Sequence, residues 1–186
     1  QRNSTVWADL PSSAHQLAQQ FFIRYPSMPK RANLYVGRAG QMAVMAEFLL
    51  RGYNVAIPEV DVGDDIFVVT DTSGEYGRVQ VKTALATKTR DGYSARYLLR
   101  LSHLERATVP ETWYVFANRL SGRWISFLVI SRQALYTLYD LYQIGSLSQN
   151  GVLSLYVSYT EHDVICSGQD LNAYLNNWAD WPPIDR

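Results

Sequence analysis

The chain has 186 residues, of which 47% are hydrophobic and 18% charged, as expected of a globular protein long enough for one sizeable core. Its formal net charge is zero, so the composition as a whole lacks the strongly basic character of many nucleic-acid-binding proteins. A single cysteine excludes an internal disulfide and predicts a cytoplasmic protein, and no apolar run approaches the ~20 residues needed to cross a membrane.

The first predicted element is a helix that begins at Ser12 or Ser13 and ends before Pro26. A serine hydroxyl can accept hydrogen bonds from the free amides of a first helical turn, and proline stops a helix. We therefore expect residues 1–32 to form a helical extension and residues 33–186 to form a single domain.

A second helix is predicted from about Ala39 to Arg51, with Gly52 as its stop signal. At 100° per residue, Gln41 falls inside the apolar face of this helix, so we expect it to point toward the core and any site there. Glu47 falls outside that face and is placed to pair with Arg51 four residues later. A polar residue satisfied at the edge of the core is the other interpretation of Gln41.

The next feature is a cluster of four acids within residues 59–65, followed by a run of β-branched and aromatic residues. Acids this close repel one another unless they are solvated or hold a cation. Asp65 opens the predicted strand and would be held rigidly there, which metal binding requires. The side chain of Asp64 would face the opposite side of the strand. For Asp61 and Asp64, a solvated acidic loop is the favoured interpretation.

Turn-forming residues 71–77 predict a hairpin that leads into a strand over residues 78–83. Gln80 and Lys82 share one face of that strand. The chain has three lysines against fourteen arginines, and one of the three is Lys82. Arginine stays charged and cannot easily replace a lysine that must contact a water molecule or lose a proton. Two polar residues on a half-exposed strand are the alternative interpretation.

Alternating or continuous apolar runs predict the later elements. Further strands are expected at residues 93–101, 113–117, 124–130 and 153–157, with helices from 131 to 142 and from 170 to 178.

Charge is unevenly distributed along the chain. Between Arg78 and Arg106 seven basic residues stand against two acids, seven minus two, an excess of +5. A basic segment beside an acidic site would suit a phosphate backbone, whereas a solvated face balanced elsewhere in the fold explains the same pattern.

Gln41, Asp65 and the run Gln80-Val81-Lys82 together resemble the PD-(D/E)xK nuclease superfamily. The family pattern is a helix with an acidic residue, an Asp that opens one strand, and (Asp/Glu)-x-Lys on the next. The resemblance covers residues 37–83, and the motifs are short and degenerate. Glutamine replaces the family's acid at positions 41 and 80, and a Gln-x-Lys form does occur within the superfamily.

This resemblance implies an α/β (α+β) fold with a restriction endonuclease-like core, in which helices flank a central mixed β-sheet. It implies hydrolysis of DNA phosphodiester bonds with Mg²⁺ or Mn²⁺ held by Asp65, Gln80 and the backbone carbonyl of Val81. Lys82 would position the attacking water or steady the transition state, and Gln41 would stand at the family's helix position. It also leaves open a homodimer as the acting form.

Two alternatives remain open, because two glutamines leave Asp65 as the one certain carboxylate of the predicted site. One is a catalytically degenerate nuclease fold that acts as a DNA-binding or assembly subunit. The other is an unrelated α/β protein in which Asp65 and Lys82 form a structural ion pair.

Overall fold

A computed structural model describes residues 32–60, 63–71, 73–179 and 181. These residues form an α+β fold with two β-sheets, and the predicted fold class is confirmed. The helix predicted before Pro26 and the acid Asp61 lie outside the described residues, so the predicted helical extension and domain division stay predictions. Among the described helices, none combines the length and apolar content needed to span a bilayer.

Within the described residues, strands outnumber helices. The helices are α1 (Ala32–Leu50), α2 (Leu101–Glu105) and α3 (Arg132–Tyr142), with a 3-10 turn at Asn172–Tyr174. The strands are β1 (Asn54–Ala56), β2 (Ile66–Val69), β3 (Tyr76–Leu85), β4 (Thr87–Lys88), β5 (Gly92–Arg100), β6 (Thr112–Leu120), β7 (Arg123–Ser131), β8 (Ser146–Leu147), β9 (Val152–Thr160), β10 (Val164–Cys166) and β11 (Gln169–Asp170).

The first sheet has the order β1-β2-β3-β6-β7 and is mixed, because β3 and β6 are parallel and the other pairs are antiparallel. The second sheet has the order β11-β10-β9-β5-β4, with β8 also paired to β9, and is antiparallel throughout. The chain therefore passes from β3 in the first sheet to β4 and β5, which both belong to the second sheet.

Helix α1 is rich in alanine, leucine and methionine, which favour helices. It begins seven residues earlier than the predicted start at Ala39 and continues through Gly37 and Gly40. Its end matches the sequence signal, because Gly52 adopts a left-handed φ of 86° and its amide bonds to the carbonyl of Leu49 at 3.0 Å.

Two apolar cores lie on opposite faces of the first sheet. The core beneath α1 contains Val44 and Phe48 of the helix against the side chains of Val79 and Val81. The core on the other face includes Ala84 of β3 and joins the first sheet to the second. Because side chains alternate along a strand, Gln80 and Lys82 share the face of Ala84.

The later strands and the 131–142 helix are found close to their predicted positions, and Ser131 caps α3 by accepting a bond from the Ala134 amide at 3.1 Å. The predicted helix over 170–178 is wrong, since only a 3-10 turn forms. There Asn176 takes a left-handed φ of 50°, and its side chain accepts a bond from the Phe127 amide at 2.8 Å. Tying this segment to β7 stabilises an extended path in place of a helix.

Candidate active site

Asp65 immediately precedes β2 and reaches across to β3. Its backbone amide donates to the carbonyl of Val79 at 2.8 Å. Its carboxylate oxygen Oδ2 accepts two hydrogen bonds from β3, one from the side-chain amide Nε2 of Gln80 and one from the backbone amide of Val81 at 2.7 Å. The carboxylate is thus fixed against β3 by residues fifteen and sixteen positions away in the sequence.

Gln41 joins this group from helix α1. It is buried, and its Nε2 donates to the backbone carbonyl of Asp65. Its Oε1 accepts a bond from Nη1 of Arg38 at 2.6 Å, so the amide bridges a helix arginine and the start of β2. The predicted inward direction of Gln41 is thereby confirmed, although it contacts the backbone of Asp65 rather than its carboxylate.

Glu47 lies on the other side of the same helix. Its carboxylate pairs with Nη1 of Arg51 at 2.7 Å, as the four-residue spacing predicts. Arg51 also donates to the backbone carbonyl of Glu47 and covers the ring of Trp178, 4.7 Å from its centroid. These contacts hold Glu47 in a partly exposed ion pair away from Asp65.

Gly40 allows α1 to approach β3 closely. A Cβ built at this position would lie 1.9 Å from Oγ1 of Thr83, which is the residue next to Lys82. No side chain larger than hydrogen fits there without movement. The glycine beside Gln41 is therefore part of what brings the helix to the site.

Lys82 shares a strand face with Gln80 and is partly buried. It lines a groove of about 510 Å³ that also contains Arg96 and Tyr156 from the second sheet. The groove thus begins two residues along β3 from the Asp65–Gln80 bond.

Arg78, the partner of Asp64, shares a face of β3 with Gln80, the partner of Asp65, so Asp64 does not turn to the opposite side as predicted. Asp64 is also not part of a solvated acidic loop. It is buried, and both of its carboxylate oxygens accept bonds from the guanidinium of Arg78 at 2.7–3.1 Å. Hydrogen bonding to Asp64 raises the pKa of Arg78, and the charge of Asp64 acts in the same direction against an opposing effect of burial. That expectation was wrong because the sequence does not show that Arg78 comes alongside Asp64 in the hairpin.

Tyr114 lies beside Gln80 in the parallel pairing of β3 with β6. Burial raises the pKa of its phenol to about 12, Arg132 lowers it, and the nearby charges of Asp64 and Asp65 raise it. Its hydroxyl therefore stays protonated at neutral pH. Strand pairing alone brings this residue to the site, and no motif signal indicated it.

The predicted metal ligands offer only oxygen atoms, which suit Mg²⁺ or Mn²⁺. Asp65 is the one carboxylate among them. Within the described residues, no group of three His, Cys, Asp or Glu side chains is arranged to hold a metal ion. The amide and carbonyl of one strand residue point to the same edge, so the Val81 carbonyl faces the edge where its amide meets Asp65. The donor set fits a hard cation that keeps most of its water ligands.

No family model matches the chain, and no curated protein sequence matches it. The chain is similar to a solved structure of a bacterial homing endonuclease, with 16% sequence identity and a TM-score of 0.45 over 77% of this chain and 86% of that one. A likeness of this size assigns neither a family nor an activity to the chain.

Proposed function

We propose that this protein is a metal-dependent endonuclease. Its active site, formed by Asp65, Gln80 and Lys82, hydrolyses DNA phosphodiester bonds. The observation that carries the proposal is the convergence of three distant sequence motifs. Helix α1, the start of β2 and the middle of β3 meet through hydrogen bonds that join Gln41 to the Asp65 backbone and Gln80 to the Asp65 carboxylate. These are the positions that the resemblance to PD-(D/E)xK nucleases assigns to the site.

Asp65, Gln80 and the carbonyl of Val81 would hold Mg²⁺ or Mn²⁺. The amide nitrogen of Gln80 already bonds to Asp65, so its oxygen Oε1 is the end available to a cation. When bound, the cation would supply positive charge to the scissile phosphate and make an attacking water more acidic.

The protein's own side chains position the cation and the phosphate. Bonds from Gln80 and the Val81 amide hold the Asp65 carboxylate in place against β3. Lys82, two residues further along the same face, would place its ammonium where negative charge develops on the phosphate. Gln41 acts as a positioning residue, since it holds the backbone of Asp65 and not its reactive group.

DNA cleavage in Mg²⁺ and then Mn²⁺ tests this proposal, with supercoiled, linear and branched substrates. Asp65→Asn keeps the size of the side chain and an oxygen acceptor for the Val81 amide, so the fold should survive while cleavage is lost. Lys82→Arg keeps the positive charge but not the compact ammonium, so we expect cleavage to fall while DNA binding remains. Asp140→Asn, at an exposed position of α3, is the matched control and should cleave normally.

A second candidate is a DNA-binding or assembly subunit with a degenerate nuclease fold. The observation that favours it is the charge of the site, because Gln41 and Gln80 are neutral and Asp65 alone among the predicted ligands is acidic. One carboxylate holds Mg²⁺ weakly unless substrate phosphate adds its own oxygens. Salt-sensitive DNA binding without cleavage in either metal would select this candidate over the nuclease.

A further inference from the structure

The groove beside Lys82 is bounded by β3 and β5. Part of one edge of each strand is not paired with any described strand. Strand β2 pairs with β3 only as far as Val79, and β4 pairs with β5 only as far as Ser94. Among the described strands, none pairs with β3 beyond Val79 or with β5 beyond Ser94 on these sides. The first turns of α1 complete the groove through Asn33 and Val36.

An arginine–tyrosine pair forms one wall of this groove. Arg96 of β5 and Tyr156 of β9 are direct partners in the second sheet. The guanidinium carbon of Arg96 lies 5.1 Å from the centroid of the Tyr156 ring, and its Nη2 donates to Oγ of Ser154 at 3.1 Å. Tyr156 as a residue is nevertheless 57% exposed. A fixed aromatic ring with an adjacent cation offers a stacking surface for a nucleobase.

The size of the groove limits what can enter it. Its volume of about 510 Å³ is in the range of small-ligand sites, roughly 300–1,000 Å³. That space admits a nucleotide or two of one DNA strand, whereas a base-paired duplex must remain outside. Lys82 lies in the groove and stands about 7 Å along β3 from Gln80, from a rise of about 3.3 Å per residue. A DNA strand held in the groove therefore leads directly to the Asp65–Gln80 pair.

We propose that this groove binds unpaired nucleotides beside the scissile bond, with a base stacked on Tyr156 and phosphate contacted by Arg96 and Lys82. The inference rests on the proposed nuclease function and specifies its substrate as DNA with a single-stranded segment. Tyr156 is then a specificity-determining residue, because stacking of this kind is available only to a base that has left the duplex.

Fluorescence anisotropy with a labelled single-stranded DNA and its duplex, in EDTA, tests the binding without cleavage. Tyr156→Ala should weaken single-strand binding about tenfold, the effect expected for losing one stacked base. Tyr156→Phe keeps the ring and should bind like the native protein. Tyr142→Ala removes a tyrosine of similar exposure (53% against 57%) from the end of α3 and should change nothing. Duplex binding should be nearly equal in all four proteins.

Equal single-strand affinity for Tyr156→Ala and Tyr142→Ala would overturn the inference, and so would failure of the native protein to bind the single strand. The cleavage assay separates this failure from that of the proposed function. Cleavage that needs Asp65 but is unaffected by Tyr156→Ala would support the nuclease proposal and refute the role of the groove. Single-strand binding that needs Tyr156, with no cleavage in Mg²⁺ or Mn²⁺, leaves the groove standing without the nuclease.

Discussion

Replacing Gly40 by alanine should destabilise the protein, although alanine is the better helix former. The new Cβ would lie 1.9 Å from Oγ1, 2.8 Å from Cγ2 and 2.9 Å from Cβ of Thr83. Rotating Thr83 about χ1 does not relieve the contact with its Cβ, so α1 and β3 must separate. Overpacking of this kind costs ~1–3 kcal/mol, and the gain in helix propensity returns up to ~1 kcal/mol. We expect a net loss of about 1–2 kcal/mol in the free energy of unfolding.

Gly37 provides the matched control within the same helix. A Cβ at Gly37 meets nothing within 4 Å, so Gly37→Ala should stabilise the protein by about 0.5–1 kcal/mol. Urea unfolding of the two variants measures the difference directly. Equal stability of Gly40→Ala and Gly37→Ala would refute the close approach of α1 to β3. The double variant Gly40→Ala/Thr83→Ala should recover part of the loss, because only the contact with the Cβ of residue 83 remains.

Three further predictions concern the residues around the site. Arg78→Met should cost ~3–5 kcal/mol of stability in urea unfolding, because it leaves the Asp64 carboxylate buried without its cation. The double variant Arg78→Met/Asp64→Leu should recover most of this loss. The pKa of Tyr114 is raised from 10.0 to about 12, so its stabilising contribution is present below pH ~10 and lost as the pH rises toward ~12. When unfolding is measured at neutral pH and at pH about 11, the loss of stability between the two should be smaller for Tyr114→Phe than for the native protein. An identical loss in both proteins would contradict the burial of the phenol. Gln80→Glu replaces the hydrogen bond to Asp65 with two adjacent carboxylates, so it should lower the melting temperature in EDTA. Mg²⁺ should then raise the melting temperature of the variant more than that of the native protein. Equal Mg²⁺ responses would show that position 80 does not face the cation.

The sequence predicted those parts of the site that depend on local spacing. Helical phase indicated that Gln41 faces inward and that Glu47 pairs with Arg51, and both follow from 100° per residue. Strand alternation placed Gln80 and Lys82 on one face. The hairpin of β2 and β3 was recognisable from its turn residues.

The parts that sequence reasoning missed depend on contacts between distant segments. Arg96 and Tyr156 are sixty residues apart and meet because β5 pairs with β9 in the second sheet. No local sequence pattern predicted that pairing. Asp64 was assigned to a solvated loop because its partner Arg78 becomes visible only once the hairpin is folded. The segment after Asp170 has the composition of a helix, yet the bond from Phe127 to Asn176 fixes it along β7. In each case a contact between distant segments decided the outcome.

The most direct test of the central claim is Mg²⁺-dependent cleavage of branched and single-stranded DNA by the native protein beside Asp65→Asn. The proposed site predicts cleavage by the native protein, loss of cleavage in the variant, and the same melting temperature for both in EDTA to within a few degrees. Cleavage retained in Asp65→Asn would contradict the assignment of the site. Absence of cleavage in both Mg²⁺ and Mn²⁺ by a folded native protein that binds DNA would contradict the nuclease itself.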